Sequence, residues 1–169
     1  MHQTELREHI VAAALQGDLQ LLVRIVEAVG PLTARLDDDP DELTTLHMAC
    51  SAGHCGLVEY LLSSAVGSDP CAARRNAFTP LHAAAMNGHT EVCRQLIDHG
   101  AYANAQTDPQ GYSPLHSAAF GGHVDTVTLL LASGADPRLR NYRNETPAEA
   151  ARRAGQVEAA RCLEACGDP

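Results

Sequence analysis

Thr79-Pro80-Leu81-His82-Ala83-Ala84-Ala85-Met86-Asn87-Gly88-His89 carries its own start, body and stop. The Thr79 hydroxyl suits a helix N-cap, and Pro80 suits the first helical position, where no amide donor is needed. Leu81, Ala84 and Ala85 fall on one side at helical spacing, and their neighbours are small enough to admit another backbone closely. Gly88 can take a left-handed conformation and end the helix. A helix of about two turns cannot stand alone in water, so the stretch predicts a neighbour stacked against it.

The stretch recurs. Thr44-Thr45-Leu46-His47-Met48-Ala49-Cys50-Ser51-Ala52-Gly53-His54 precedes it, and Ser113-Pro114-Leu115-His116-Ser117-Ala118-Ala119-Phe120-Gly121-Gly122-His123 follows. Worn copies lie at Thr146–Gln156 and His9–Asp18. From Gly17 through Gly53, Gly88 and Gly122 to Gly155 the steps are 36, 35, 34 and 33 residues, within the range of stacked repeat arrays. Behind each copy comes a second apolar segment, such as Leu57, Val58, Leu61 and Leu62, or Val92, Cys93, Leu96 and Ile97. One domain is predicted over residues 1–169, with units at about 5–37, 41–73, 75–107, 109–140 and 142–167. The first and last units are polar on one side, as the ends of a stack require.

Bulk composition narrows the function. The formal charge of -9 at pH 7 lacks the basic footprint of a general nucleic-acid binder. All 12 basic residues are arginine, and most stand in the second half. Residues 1–70 carry net -8 and residues 71–169 net -1. The first residues are polar and charged rather than a secretory leader, and no apolar run has transmembrane length. The reading is an intracellular protein, cytoplasmic and/or nuclear, without a membrane partner. Its six cysteines (Cys50, Cys55, Cys71, Cys93, Cys162, Cys166) are expected as free thiols, mostly buried.

Catalysis and metal binding find little support. His47 and His54, His82 and His89, and His116 and His123 are each seven residues apart, but they recur as motif positions. A zinc site needs four convergent nitrogen or sulfur ligands, and no Cys-x-x-Cys pair exists. A nucleophile needs a base beside it and an orienting third group, and candidates that repeat as scaffold do not single one out. The expectation is no enzyme, no cofactor and no metal site.

The motif Thr-Pro-Leu-His-x-Ala-Ala-x-x-Gly-His, continued by Glu91-Val92-Cys93-Arg94-Gln95-Leu96-Ile97-Asp98-His99-Gly100-Ala101, closely resembles the ankyrin repeat. The resemblance covers roughly residues 5–167. It implies an all-α solenoid of helix-turn-helix units with projecting β-turn fingers, in which fingers and first helices line a concave groove that holds other proteins. It also implies that the motif histidines tie helix starts to neighbouring loops. Thr45 departs from the expected proline, and the fingers near 37–43, 67–76 and 106–112 look long enough to be irregular. Asn104 sits where related repeats carry a hydroxylatable asparagine; a turn Asn bonding its own backbone is the plainer reading.

Mapped through the motif, the groove of units three to five presents Arg75, Asn76, Phe78, Met86, Asn87, Gln110, Tyr112, Phe120, Tyr142, Arg143 and Arg153 as protein-binding candidates. Aromatic residues, Met and Arg are the types enriched at interfaces and their hot spots. Against that stands the simpler role of Phe78 and Phe120 in packing fingers onto helices. With Arg74, Arg138 and Arg140 nearby, the patch suits a protein or peptide with apolar anchors and acidic flanks. The chain is expected to be a monomer that acts as an adaptor; the alternative is an inhibitory or regulatory subunit clamping an enzyme such as a kinase.

Overall fold

A computed structural model of the chain describes residues 3–29, 43–74 and 76–167. Ten helices occur among these residues, in five consecutive pairs: α1 (Gln3–Gln16) with α2 (Leu19–Val29), α3 (Thr45–Ala52) with α4 (Cys55–Leu62), α5 (Pro80–Met86) with α6 (Thr90–Asp98), α7 (Pro114–Gly121) with α8 (Val124–Ala132), and α9 (Pro147–Arg153) with α10 (Val157–Gly167). The first helices of the pairs stack on one another in order, and so do the second helices. The fold is therefore a two-row, all-α solenoid.

Sequence dictates each short helix. Thr44, Thr79, Ser113 and Thr146 are N-caps in extended conformation, and each side chain accepts the backbone N–H three residues on. Thr45 takes the first helical position in α3 as proline does in α5, α7 and α9, so the missing proline leaves the cap intact. The motif leucines Leu46, Leu81 and Leu115 are sealed from solvent, each burial contributing about 1.5–3 kcal/mol. Ala49, Ala84, Ala85, Ala118, Ala119, Ala150 and Ala151 are wholly buried between successive first helices, where larger side chains would hold the backbones apart. Leu22, Leu57, Leu61, Leu96, Leu130 and Leu163 form the matching seam along the second row.

The thiols and Asn104 correct the sequence reading, whereas the described fingers are irregular as expected: Asn76 and Ala77 both take positive φ and Asp108–Pro109 is cis, inside closures made by backbone bonds. Arg74 and Phe78 exchange two backbone bonds of 2.9 and 2.8 Å, and Thr107 N–H meets Tyr112 O at 2.9 Å. The added turn after α4 seats its own apolar residue, Val66, in the core. The thiols are not mostly buried. Only Cys50 and Cys93 are; Cys55 and Cys162 are half-buried, and Cys71 and Cys166 exposed. Asn104 does not close its own turn but bridges to the next unit. It accepts from Asp136 N–H at 2.8 Å and donates to Gly134 O at 3.1 Å. The acidic run Asp37–Glu42 lies outside the described residues.

Candidate functional site

Two sets of histidines fix the backbone around the groove. The first set points forward along the chain. In α5 the Thr79 N–H donates to His82 Nδ1 at 3.2 Å, so the ring proton sits on Nε2 and is donated to Tyr112 O at 2.9 Å. His116 repeats the arrangement with Ser113 N–H and Glu145 O, and His47 Nε2 reaches Phe78 O at 3.0 Å. Each ring thus joins one helix start to the finger of the next unit.

Burial holds these rings neutral. His47 and His82 are pushed down to about 4, chiefly by desolvation, which outweighs the opposing carbonyls of Phe78 and Tyr112. His116 is lowered for the same reason, against Glu145. In α9 a glutamate replaces the histidine. The Glu149 carboxylate takes the Thr146 N–H at 2.7 Å, and that bond leads the causes lowering its pKa.

The second set points backward. His54, His89 and His123 donate Nε2–H to Leu15 O, Ser51 O and Met86 O at 2.9, 3.0 and 3.0 Å. The glycine just behind each acceptor makes room. Gly53 has φ +77°, and a Cβ there would stand 2.5 Å from His89 Nδ1. These three acceptors occupy one motif slot, two residues before the repeated glycine, which Phe120 and Arg153 fill in the last two units. Leu15, Met86 and Phe120 are 52, 50 and 48 % exposed. Their side chains form an open row, although in Leu15, Ser51 and Met86 the carbonyl is engaged.

The structure brings the candidates of units four and five together. The Arg153 guanidinium lies 5.7 Å from the Phe120 ring centre and gives Nε–H to Glu145 at 2.8 Å. That bond heads the causes raising Arg153 and lowering Glu145. Arg143 stands 5.2 Å over the Tyr142 ring and donates to its hydroxyl at 2.6 Å. Tyr142 meets Tyr112 edge-on at 6.2 Å, and Tyr142 N–H binds Gln110 O at 2.9 Å, joining fingers four and five. Inner row and fingers therefore meet around Arg153.

Other candidates divide. Met86 is open, while Asn87, though exposed, spends its amide on Ser51 Oγ and Ala83 O. Phe78 is half-buried between His47 and His82, at 6.1 and 5.5 Å between ring centres, so it packs its finger, whereas Phe120 stands out from the helix. Asn76 is exposed with φ +60° and accepts from Asp108 N–H. Arg75 lies outside the described residues. Much of the arginine charge is matched internally, Arg140 by Glu149, Arg152 by Glu164 and Arg153 by Glu145. Leu15 was missed because the first unit reads as a cap; its slot before Gly17 was the available signal.

No group of three or more His, Cys, Asp or Glu that could hold a metal occurs among the described residues. No helix there is long and apolar enough to cross a membrane. An open cavity of about 400 Å³ is lined by Pro137, Ala148, Leu163 and two arginines of the patch, Arg138 and Arg140, while Phe120, Tyr142 and Arg153 are not part of its lining.

Comparison with known proteins agrees with this architecture. The family model described as ankyrin repeats in three copies matches residues 9–107, 46–141 and 104–167. Palmitoyltransferase AKR1 of Lachancea kluyveri is 36% identical over 101 residues, 59% of this chain and 13% of that protein. Diacylglycerol kinase zeta of Rattus norvegicus is 35% identical over 104 residues, 62% of this chain and 11% of the kinase. Protein phosphatase 1 regulatory subunit 27 of Mus musculus is 33% identical over 94 residues, 55% of this chain and 58% of the subunit. The chain thus spans only a small part of the two enzymes and less than two thirds of the regulatory subunit.

Proposed function

Because the chain belongs to the ankyrin-repeat family, we propose that it is a non-catalytic interaction module that holds a partner protein or peptide in the groove of its third to fifth units. The observation that carries this reading is the meeting of Phe120, Tyr142, Arg143 and Arg153 on one exposed face. Large apolar side chains there are held by stacking and hydrogen bonds without being covered. Aromatic and arginine side chains of this kind dominate binding energies because they present much area at low ordering cost. The module acts as a monomer inside the cell, and its partner supplies apolar anchors and acidic flanks.

A regulatory subunit that clamps an enzyme is the second reading. It is favoured by the similarity to a phosphatase regulatory subunit.

Affinity capture from lysate, comparing the wild-type chain with Phe120→Ala/Tyr142→Ala and with Tyr102→Ala, tests the groove. Tyr102 is 73% exposed on the turn after α6. A bound protein lost with the double variant and kept with Tyr102→Ala supports the site. Equal recovery with all three chains rejects it. An enzyme activity that falls in the captured complex distinguishes the inhibitor from the adaptor.

A further inference from the structure

Around α9 and α10 the repeat changes at three slots that are filled around α7 and α8. Seven residues before Gly122 stands Leu115, sealed from solvent; seven before Gly155 stands Ala148, half-buried. Nine residues after the same glycines stand Leu131, packed against the core, and Glu164, whose carboxylate pairs with Arg152. Four residues after Gly100 stands Asn104, which bonds the loop behind α8; four after Gly134 stands Arg138. These three changes meet at the open cavity of about 400 Å³, a volume within the range of small-ligand pockets, about 300–1,000 Å³. Ala148, Leu163 and Pro137 give it an apolar lining, and Arg138, Arg140 and Glu164 a charged one.

The charges select the sign of a ligand. Glu164 is held by Arg152, and Arg140 bonds Asn144 O and Glu149. The Arg138 backbone N–H is spent on Asp136, but its guanidinium is matched by no carboxylate among the described residues. In the corresponding slot Asn104 both donates and accepts. A guanidinium only donates, and its planar fork fits a carboxylate through two parallel bonds. An anionic head at Arg138 with an apolar body over Ala148 and Leu163 therefore completes what the repeat leaves open.

We propose that this cavity binds a carboxylate carried on a compact, branched apolar group, as in a free organic acid or the leucine that ends a peptide chain. The carboxylate sits at Arg138, and the apolar group takes the volume that the motif leucine takes in other units. Phe120, Tyr142 and Arg153 lie outside the lining, so this site and the groove stand or fall separately.

NMR titration of the full chain, read from its amide shifts, tests this with isocaproate, its uncharged amide, acetyl-glycyl-leucine and inorganic phosphate. Saturable shifts of the Arg138, Arg140, Ala148 and Leu163 amides are expected with isocaproate, acetyl-glycyl-leucine or both. Tighter binding of isocaproate identifies a free acid as the ligand, and tighter binding of the peptide identifies a chain terminus. Affinity is expected to fall roughly tenfold for the uncharged amide and in Arg138→Gln, a variant that should keep the wild-type melting temperature. Ala148→Leu, which restores the repeat's own residue, should fold as the wild type does and lose the ligand. Equal binding of isocaproate and its amide, phosphate binding as tight as isocaproate, undiminished binding in Ala148→Leu, or no saturable shift with either carboxylate overturns the proposal.

Discussion

His82 Nε2 and the Tyr112 carbonyl oxygen, 30 residues apart in sequence, lie 2.9 Å apart. At its other nitrogen the ring accepts the Thr79 N–H, and it can do so only while Nδ1 is unprotonated. A proton added there would face a donor in a site closed to water. The same holds at His116, where Ser113 supplies the amide.

Stability therefore falls in mild acid. The folded-state values of His47 and His82 are lowered from 6.5 to about 4, so the unfolded chain binds the additional protons. Their contribution is complete above pH 6.5 and is lost progressively as the pH falls towards 4. Each histidine costs on the order of 1–2 kcal/mol by pH 5. Glu145 and Glu149, lowered from 4.5, act in the same direction but only below their own range. Urea unfolding at pH 7.5 and pH 5 checks the slope. His82→Gln, which keeps a donor but cannot titrate there, should flatten it; an unchanged slope would discard the assignment.

Gly53→Ala should be markedly destabilising. The substitution strains a left-handed residue and drives a methyl into the His89 ring, breaking its bond to Ser51 O. The two effects together amount to roughly 2–3 kcal/mol. Gly100→Ala has φ +91° but open space around it, and should cost about 1 kcal/mol from strain alone. Denaturant midpoints of the two variants separate clash from strain.

Ala77→Gly should be stabilising. Ala77 has φ +58°, at the position where the other fingers carry Gly111 and Asn144, both also at positive φ. Releasing the left-handed alanine is expected to add about 1 kcal/mol, read as a higher melting temperature. A lower one would show that the alanine methyl has packing worth more than its strain.

Thiol reactivity should follow exposure. Cys71 and Cys166 react first with a disulfide reagent in the native state. Cys50 and Cys93 wait for unfolding, because burial both hides their sulfur and raises their pKa, that of Cys93 to about 12. Rapid native modification of Cys50 would contradict its complete burial in the core.

Much of this architecture is legible in the chain because the motif repeats. The caps at Thr79 and Ser113, the buried leucines and the stacking demand follow from local chemistry and period. Partner contacts across units are less legible. Asn104 reads as a turn residue, yet its bonds go to Gly134 and Asp136, a choice made by stacking geometry rather than by neighbours in sequence. Phe78 and Phe120 look equivalent as aromatics near a groove, but Phe78 lies between two histidine rings and Phe120 does not. Arg140 and Arg153 of the arginine patch are matched by Glu149 and Glu145, pairings that only the folded chain brings about.

The histidine bonds have one more consequence, for how such a surface can change. They address main-chain carbonyls at Leu15, Ser51, Met86, Phe78, Tyr112 and Glu145, and every amino acid carries that group. Where the side chain projects outward, as at Leu15, Ser51 and Met86, its identity can be rewritten while the joint between units persists. Folding and recognition are inscribed in different atoms of the same residues, so a library randomised at these three positions should retain one melting profile while its binding preferences diverge.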